Sequence, residues 1–356
     1  MIITRTPYRI SMFGGGTDYP GWYREHGGAV LSTTIDKYCY INARHLPPFF
    51  DHQFRVVYSQ IESTNTIEEI QHPSVRATLK FMNLNRGIEI HHDGDLPARS
   101  GTGSSSSFTV GMLHAAHGML GHMPSKKQLA DEAIYVEQEV IGETVGSQDQ
   151  YLTAYGGLNY VTFATNDEIT VHPLVLSADR MSELSDHLML FYTGIKRTAS
   201  DVAKSYVDDI GSRARQLRRI HAIADSALSV ITGTDDIARF GSLLHDSWQE
   251  KRSLSDLVTN SEVDEIYSAG MSAGAIGGKI LGAGGGGFIL FFVPPELHPR
   301  VKEKLATLIH VPFEFDHAGS QVVFYEPGRS DYAEEQAASQ GQDVRRQFRE
   351  LDSLGE

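Results

Sequence analysis

Residues 97–108 read Pro97-Ala98-Arg99-Ser100-Gly101-Thr102-Gly103-Ser104-Ser105-Ser106-Ser107-Phe108. Apolar residues follow at helical spacing: Val110, Met112, Leu113, Ala115, Ala116, Met119 and Leu120. The small polar residues therefore sit at a helix N-terminus. A helix start presents unpaired N–H groups and partial positive charge, and glycines let the backbone approach an anion closely. Serine hydroxyls at that point can meet phosphate oxygens or a magnesium ion. The stretch is a candidate phosphate cradle; the plain alternative is a Ser-rich turn. It is neither of two familiar phosphate loops. The chain has no G-x-x-x-x-G-K-[ST] sequence, and Gly101-x-Gly103 lacks the third glycine of a dinucleotide fingerprint.

Downstream, Ser125-Lys126-Lys127-Gln128 is a capping box opening a helix with the stripe Leu129, Ala133, Val136, Val140 and Ile141. Glu137 lies beside that stripe, either as a flanking charge or as a carboxylate reaching a cation from inside the fold. Then comes Gly142-Glu143-Thr144-Val145-Gly146-Ser147-Gln148-Asp149-Gln150-Tyr151. Asp149 follows a glycine-flanked turn and precedes an apolar stretch, as a helix-cap carboxylate also would.

Upstream, a short strand is expected to end at Pro7. Arg9-Ile10-Ser11-Met12-Phe13-Gly14-Gly15-Gly16-Thr17-Asp18-Tyr19 follows, a tight backbone path leading to a fixed carboxylate. Strands are expected over 29–35, 38–44, 54–58 and 87–91, and a helix over 75–84. His91 and His92 are adjacent on a strand and point to opposite faces, so they make a poor chelating pair.

In the second half, strands are expected at 155–164 and 187–192, with a domain boundary between them. Helices are expected over 200–230, 235–250, 261–273 and 296–309, and strands over 311–315 and 321–325. Gly282, Gly284 and Gly287 satisfy G-x-G-x-x-G, but the apolar strand Phe288-Ile289-Leu290-Phe291-Phe292 follows, not a helix. This run is expected to let backbone pack against another element or a ligand. From Pro327 on the tail is polar, with a surface helix expected near 344–351.

The 356 residues suffice for two domains. With 31 Lys and Arg against 45 Asp and Glu, the net charge is −14. No global field favours nucleic acid or an anionic membrane, so local groups must hold any phosphate. Cys39 is the single cysteine, which excludes an intramolecular disulfide. No secretory signal and no apolar run of membrane-span length is visible, so the expected compartment is the cytoplasm.

Three glycine-rich elements in this order resemble the three motifs of the GHMP small-molecule kinases. Pro7 to Tyr19 resembles the sugar-binding signature of the galactokinase branch, residues 97–107 the ATP phosphate loop, and residues 279–292 the late glycine-rich loop. The resemblance covers residues 1–326. Within the family, Gly-Gly-Gly-Thr-Asp, Gln-Asp-Gln-Tyr and Gly-Ala-Gly-Gly-Gly-Gly-Phe resemble D-glycero-D-manno-heptose 7-phosphate kinases. Gly15 and Gly16 stand where galactokinases carry Glu-His, and Arg99 stands where a small residue is usual.

The resemblance implies a two-domain α/β (α+β) architecture. Residues 1–175 would form a ribosomal-protein-like α/β domain with a left-handed βαβ crossover. Residues 176–326 would form a ferredoxin-like domain, and 327–356 a polar tail. It implies ATP and Mg2+, with Arg99, Ser100, Gly101, Thr102, Gly103, Ser104, Ser105 and Ser106 around the phosphates. Ser104 or Ser105, with Glu137, would hold the metal. Asp149 would act as general base or orienting acceptor, with Arg9 reaching the transferred phosphoryl. Gly15, Gly16, Thr17, Asp18, Gly284 and Gly285 would line the sugar, and Lys196, Arg197, Lys251 or Arg252 would meet a distal phosphate. The implied reaction phosphorylates the anomeric hydroxyl of the heptose 7-phosphate, toward nucleotide-activated heptose. A kinase for another sugar, fucose- or galactose-like, and a non-catalytic sugar sensor are the alternatives. The expected partners are ATP and a sugar phosphate, with no nucleic acid or membrane, in a monomer or homodimer.

Overall fold

The structure, a computed structural model, describes residues 1–195, 199–327 and 332. Its strands are β1 (Ile2–Phe13), β2 (Gly28–His45), β3 (Phe54–Val57), β4 (Ile61–Thr64), β5 (Ile88–Gly94), β6 (Leu158–Phe163), β7 (Ile169–Pro173), β8 (Leu188–Tyr192), β9 (Gly277–Ile280), β10 (Phe288–Phe292), β11 (Ile309–Val311), β12 (Phe315–Asp316) and β13 (Gln321–Tyr325). The helices are α1 (Pro20–His26), α2 (Pro73–Phe81), α3 (Ser104–Met119), α4 (Lys126–Tyr135), α5 (Gln148–Tyr155), α6 (Ala178–Asp186), α7 (Ala199–Val207), α8 (Ala214–Thr232), α9 (Ala238–Arg252), α10 (Ser261–Ser272) and α11 (His298–Lys304). Both sheets and the helices on them give a mixed α/β fold, as expected.

The larger sheet runs β13-β1-β2-β5-β3-β4, with β6 and β12 also on β2 and β7 on β6. Within it β3 and β5 pair in parallel, joined through α2. The smaller sheet is β11-β8-β10-β9, antiparallel throughout. α3 packs across β1 and β2. Its Phe108, Met112 and Ala115 share a core with Ile10, Met12, Leu31 and Ile41. That core continues into Ile223, Phe240, Leu290 and Phe292 of the second half, where Phe13 meets Phe240 edge-to-face at 4.9 Å.

Three expectations differ from the fold. β1 does not stop at Pro7 but continues to Phe13, with the register against β2 shifting between Pro7 and Tyr8. A bulge tolerates the missing proline N–H, so Arg9 and Ser11 lie on a strand, not in a loop. The strands expected at 29–35 and 38–44 are one continuous β2, in which Asp36 and Lys37 bulge opposite the Pro7–Tyr8 step of β1. The helix expected over 200–230 is two, α7 and α8, separated by a short tight turn at Ile210–Arg213. The chain also returns at its end: β12 pairs with β2 and β13 with β1, so residues 315–325 extend the first sheet rather than the second. The helix expected at 344–351 lies outside the described residues.

Candidate active site

The site forms where the end of β1, the start of α3 and the start of α5 meet. Arg9 projects from β1 and is 4% exposed. Its Nε donates to Asp149 Oδ1 at 2.7 Å, and one terminal nitrogen donates to Oδ2 at 2.5 Å. The other terminal nitrogen donates to the Gly101 carbonyl at 2.5 Å. The Arg9 main-chain N–H donates to the Thr102 carbonyl at 3.0 Å. One arginine thus ties the carboxylate of Asp149, in the first turn of α5, to the glycine loop before α3. A bidentate guanidinium–carboxylate pair fixes both groups in one plane.

The glycine loop is shaped from behind by the late glycine run. A side chain at Gly282 would lie 2.6 Å from the Gly101 Cα, so the two loops meet backbone to backbone. Phe288 N–H donates to the Ser100 carbonyl at 3.1 Å. Gly103, at φ +74°, caps α3 and turns the chain into the helix. The first-turn amides of α3 lack partners within the helix itself, as at any helix start.

Behind the carboxylate lies a buried polar chain. Ser11 donates to Gln148 Oε1 at 2.7 Å, and Gln148 Nε2 donates to Asp18 Oδ2 at 2.8 Å. Gly16 N–H donates to Asp18 Oδ1 at 2.9 Å. Burial pushes the Asp18 carboxyl above its ordinary range, and these donors offset part of that. Lys279 is wholly buried and donates to the Ser11 and Met12 carbonyls, both at 2.9 Å. Burial, with Lys251 and Arg9 nearby, holds its ammonium well below the usual lysine range.

Glu137 is 0% exposed, in a wide helical turn (Val136–Ile141) that continues α4. Glu137 follows Ala133 by four residues and Ala130 by seven, so it continues the buried face of α4. Ser106 donates to its Oε2 at 3.0 Å, and Gln150 Nε2 donates to the same oxygen. Its Oε1 has no partner in hydrogen-bond geometry among the described residues. Burial raises Glu137 from 4.5 to about 7, with Gln150, Thr109 and Ser106 acting against the shift.

Residues 69–157 match the family described as GHMP kinases N terminal domain, and residues 227–309 match GHMP kinases C terminal. The D-glycero-alpha-D-manno-heptose 7-phosphate kinase of Campylobacter jejuni is 31% identical over 305 residues, spanning 83% of this chain and 90% of its own. The chain belongs to the GHMP kinase family. The galactokinase of Pyrococcus furiosus is 24% identical, spanning 83% and 90% of the two chains. The crystal structure of a D-glycero-D-manno-heptose 1-phosphate kinase from Bacteroides thetaiotaomicron superposes with a TM-score of 0.75 at 23% identity, over 92% and 100% of the two chains. The galactose complex of Lactococcus lactis galactokinase superposes at 0.68 with 17% identity, over 90% and 94%. At these identities the two structures speak to the fold.

The fold of this GHMP kinase brings together Arg9, Asp149, Asp18, the glycine loop and Glu137. It treats the other expected residues unevenly. Ser104 accepts from the Arg99 N–H at 2.9 Å and Ser105 is exposed; the serine on Glu137 is Ser106. Arg99 is itself exposed, at a left-handed φ of +59°. Thr17 donates to the Gly14 and Ala29 carbonyls, so its hydroxyl holds the loop. Gly284 and Gly285 lie against Val258, whose carbonyl accepts from Gly285 N–H at 2.6 Å. Lys251 is buried at 5% exposure and donates to Gly282 O, while Arg252 pairs with Asp264 at 2.8 Å. Lys196 and Arg197 lie outside the described residues.

Sequence reasoning overlooked Ser11, Gln148, Gln150 and Lys279. One signal for Ser11 was available: it is two residues from Arg9 on one strand, hence on the same face. Among the described residues no group of three or more His, Cys, Asp and Glu side chains is placed to hold a metal, and no helix is long and apolar enough to cross a membrane. His91 instead pairs with Glu89, at 2.9 Å.

Proposed function

We propose that this GHMP kinase transfers the γ-phosphoryl of ATP to the anomeric hydroxyl of D-glycero-D-manno-heptose 7-phosphate, giving the 1,7-bisphosphate. The observation that carries this reading is the Arg9 fork, which joins Asp149 to the Gly101 carbonyl of the phosphate loop. A carboxylate held next to a helix N-terminus by a buried guanidinium is what in-line phosphoryl transfer asks of a protein: position and charge.

In this reading the amides of Gly101 to Ser106 hold the β- and γ-phosphates. Asp149 accepts the proton of the sugar O1 as O1 bonds to the γ-phosphorus and the bond to the ADP oxygen breaks. Arg9 orients Asp149 and offsets negative charge on the transferred group. Asp18 accepts hydrogen bonds from sugar hydroxyls. The donor set fits Mg2+. Glu137 offers a buried carboxylate oxygen with no partner in hydrogen-bond geometry, and Ser106 of the first α3 turn donates to its other oxygen. A hard cation that takes few protein ligands and keeps phosphate and water suits such a place. When bound, Mg2+ would neutralise charge on the phosphate oxygens. Lys251, buried beside Gly15 of the sugar motif, would meet the distal phosphate of the acceptor.

The test is ADP release, coupled to a colour reaction, over a panel. The panel holds the heptose 7-phosphate, the same heptose without phosphate, L-fucose and D-galactose. Turnover with the heptose phosphate alone, and a new anomeric phosphorus signal by NMR, is the expected result. Faster turnover of fucose or galactose would move the substrate to the other branch. Binding of sugar without ADP release from any of them would make the protein a sensor.

A further inference from the structure

The first turn of α5 carries three side chains in succession, and each takes hold of a different part of the site. Gln148 donates to Asp18 Oδ2 at 2.8 Å, Asp149 pairs with Arg9, and Gln150 donates to Glu137 Oε2. Successive residues on a helix point about 100° apart, so a single turn fans three side chains toward three neighbours. Gln150 and Glu137 are both 0% exposed. A buried amide and a buried carboxylate are costly to fold unless polar partners receive them.

The Glu137 carboxylate is held by one of its oxygens. Ser106 of α3 donates to Oε2 at 3.0 Å, and Gln150 of α5 donates to that same atom. Glu137 Oε1 has no partner in hydrogen-bond geometry among the described residues, and neither has Gln150 Oε1. Two donors arriving from two helices leave the carboxylate little freedom to turn, and they leave its other oxygen open. The Gln150 amide cannot be turned end for end, because its carbonyl oxygen would then face the ionised carboxylate, acceptor against acceptor. Carboxylates that bind metal are commonly oriented in this way, by hydrogen-bond donors that are not themselves ligands.

We infer that Gln150 is a positioning residue for the metal carboxylate: together with Ser106 it pins Glu137 Oε2, and so presents Oε1 to the divalent cation that accompanies the nucleotide phosphates. The inference rests on the kinase reading above. It gives the two glutamines that flank Asp149 separate duties, Gln148 toward Asp18 and Gln150 toward Glu137.

The experiment reads nucleotide binding without turnover. Full-length wild type, Gln150→Met, Gln150→Asn and Thr153→Val are titrated by calorimetry with a non-hydrolysable ATP analogue, once with Mg2+ and once in EDTA. Methionine fills the space of glutamine without an N–H, and asparagine withdraws the amide by one methylene. Either variant carries the test if the other does not fold. Thr153→Val is the control: it removes another buried hydrogen bond of α5, made at 2.9 Å to the Asp149 carbonyl and not to Glu137. In wild type, Mg2+ should tighten the analogue. The Gln150 variants should lose roughly tenfold or more of that gain, with affinity in EDTA within about threefold of wild type. Thr153→Val should keep the gain. A full Mg2+ gain in the Gln150 variants overturns the inference and leaves the kinase reading in place. So does an equal loss with Mg2+ and in EDTA, an equal loss in Thr153→Val, or a wild type that gains nothing from Mg2+. A wild type that binds the analogue in neither condition fails the kinase reading, and the inference with it.

Discussion

Replacing Asp149 by asparagine removes one charge and almost no volume, so it separates the roles of the Arg9 pair. In the native protein the guanidinium spends two donors on Asp149, at 2.7 and 2.5 Å, and one on the Gly101 carbonyl. Asparagine keeps one acceptor and turns an amide N–H toward the guanidinium. Breaking a buried ion pair from one side costs roughly 3–5 kcal/mol. Asp149 keeps 22% of its side-chain surface, and Arg9 retains Gly101, so the lower end is expected. For catalysis, loss of a general base lowers kcat by about 10²–10⁴-fold, roughly 3–5 kcal/mol of transition-state stabilisation. Urea denaturation and coupled ADP release measure the two effects separately, and nucleotide affinity by titration calorimetry should change by less than about threefold. An Arg9→Met, Asp149→Asn double variant should show strongly non-additive losses, because the residues act as one unit. A folded Asp149→Asn protein with kcat within about threefold of wild type would refute the assignment.

Gly146→Ala should fail for a local reason: the new Cβ would sit 1.9 Å from Asp18 Oδ2, a carboxylate already held from two sides. A loss of about 1–3 kcal/mol in denaturation and a raised sugar KM are expected. Lys279→Met leaves the Ser11 and Met12 carbonyls without their donor and should lower the melting temperature. Its kcat should fall more than its nucleotide affinity, since it anchors the strand end that carries Arg9. Glu137 titrates high because it is buried, about 7 against 4.5 unfolded. Its neutral form favours the fold, so the contribution is complete below about 4.5 and is lost as pH rises through about 7. Glu137→Gln in metal-free buffer should therefore flatten the decline of denaturant midpoint between those pH values. An equally steep decline in the variant would place the titrating group elsewhere.

The long periodic elements were legible. The α3 apolar run, the glycine loop before it and the strand after Gly287 follow from hydrophobic period and glycine placement alone. Element ends were less so. Pro7 looks like a strand terminator when only its missing N–H is considered, yet the pairing partner supplies a bulge that absorbs it. Glu137 could not be separated from an ordinary flanking charge: helical spacing from Ala130 and Ala133 puts it on the buried side, and only the packing around it shows that it is wholly enclosed.

By itself the sequence determined which residue types could do the chemistry: an anion-binding helix start, a carboxylate in a Gln-Asp-Gln turn, an arginine near a glycine triplet. It also determined that local groups, not net charge, must hold phosphate. Only the tertiary structure decided which of these meet. Arg9 and Asp149 are 140 residues apart, and Gly101 and Gly282 are 181 apart, so their contact depends on sheet register and core packing. The same packing carried Lys251 inside and left its neighbour Arg252 paired with Asp264. Adjacent residues on a helix face different surroundings, and only packing chooses which side is buried.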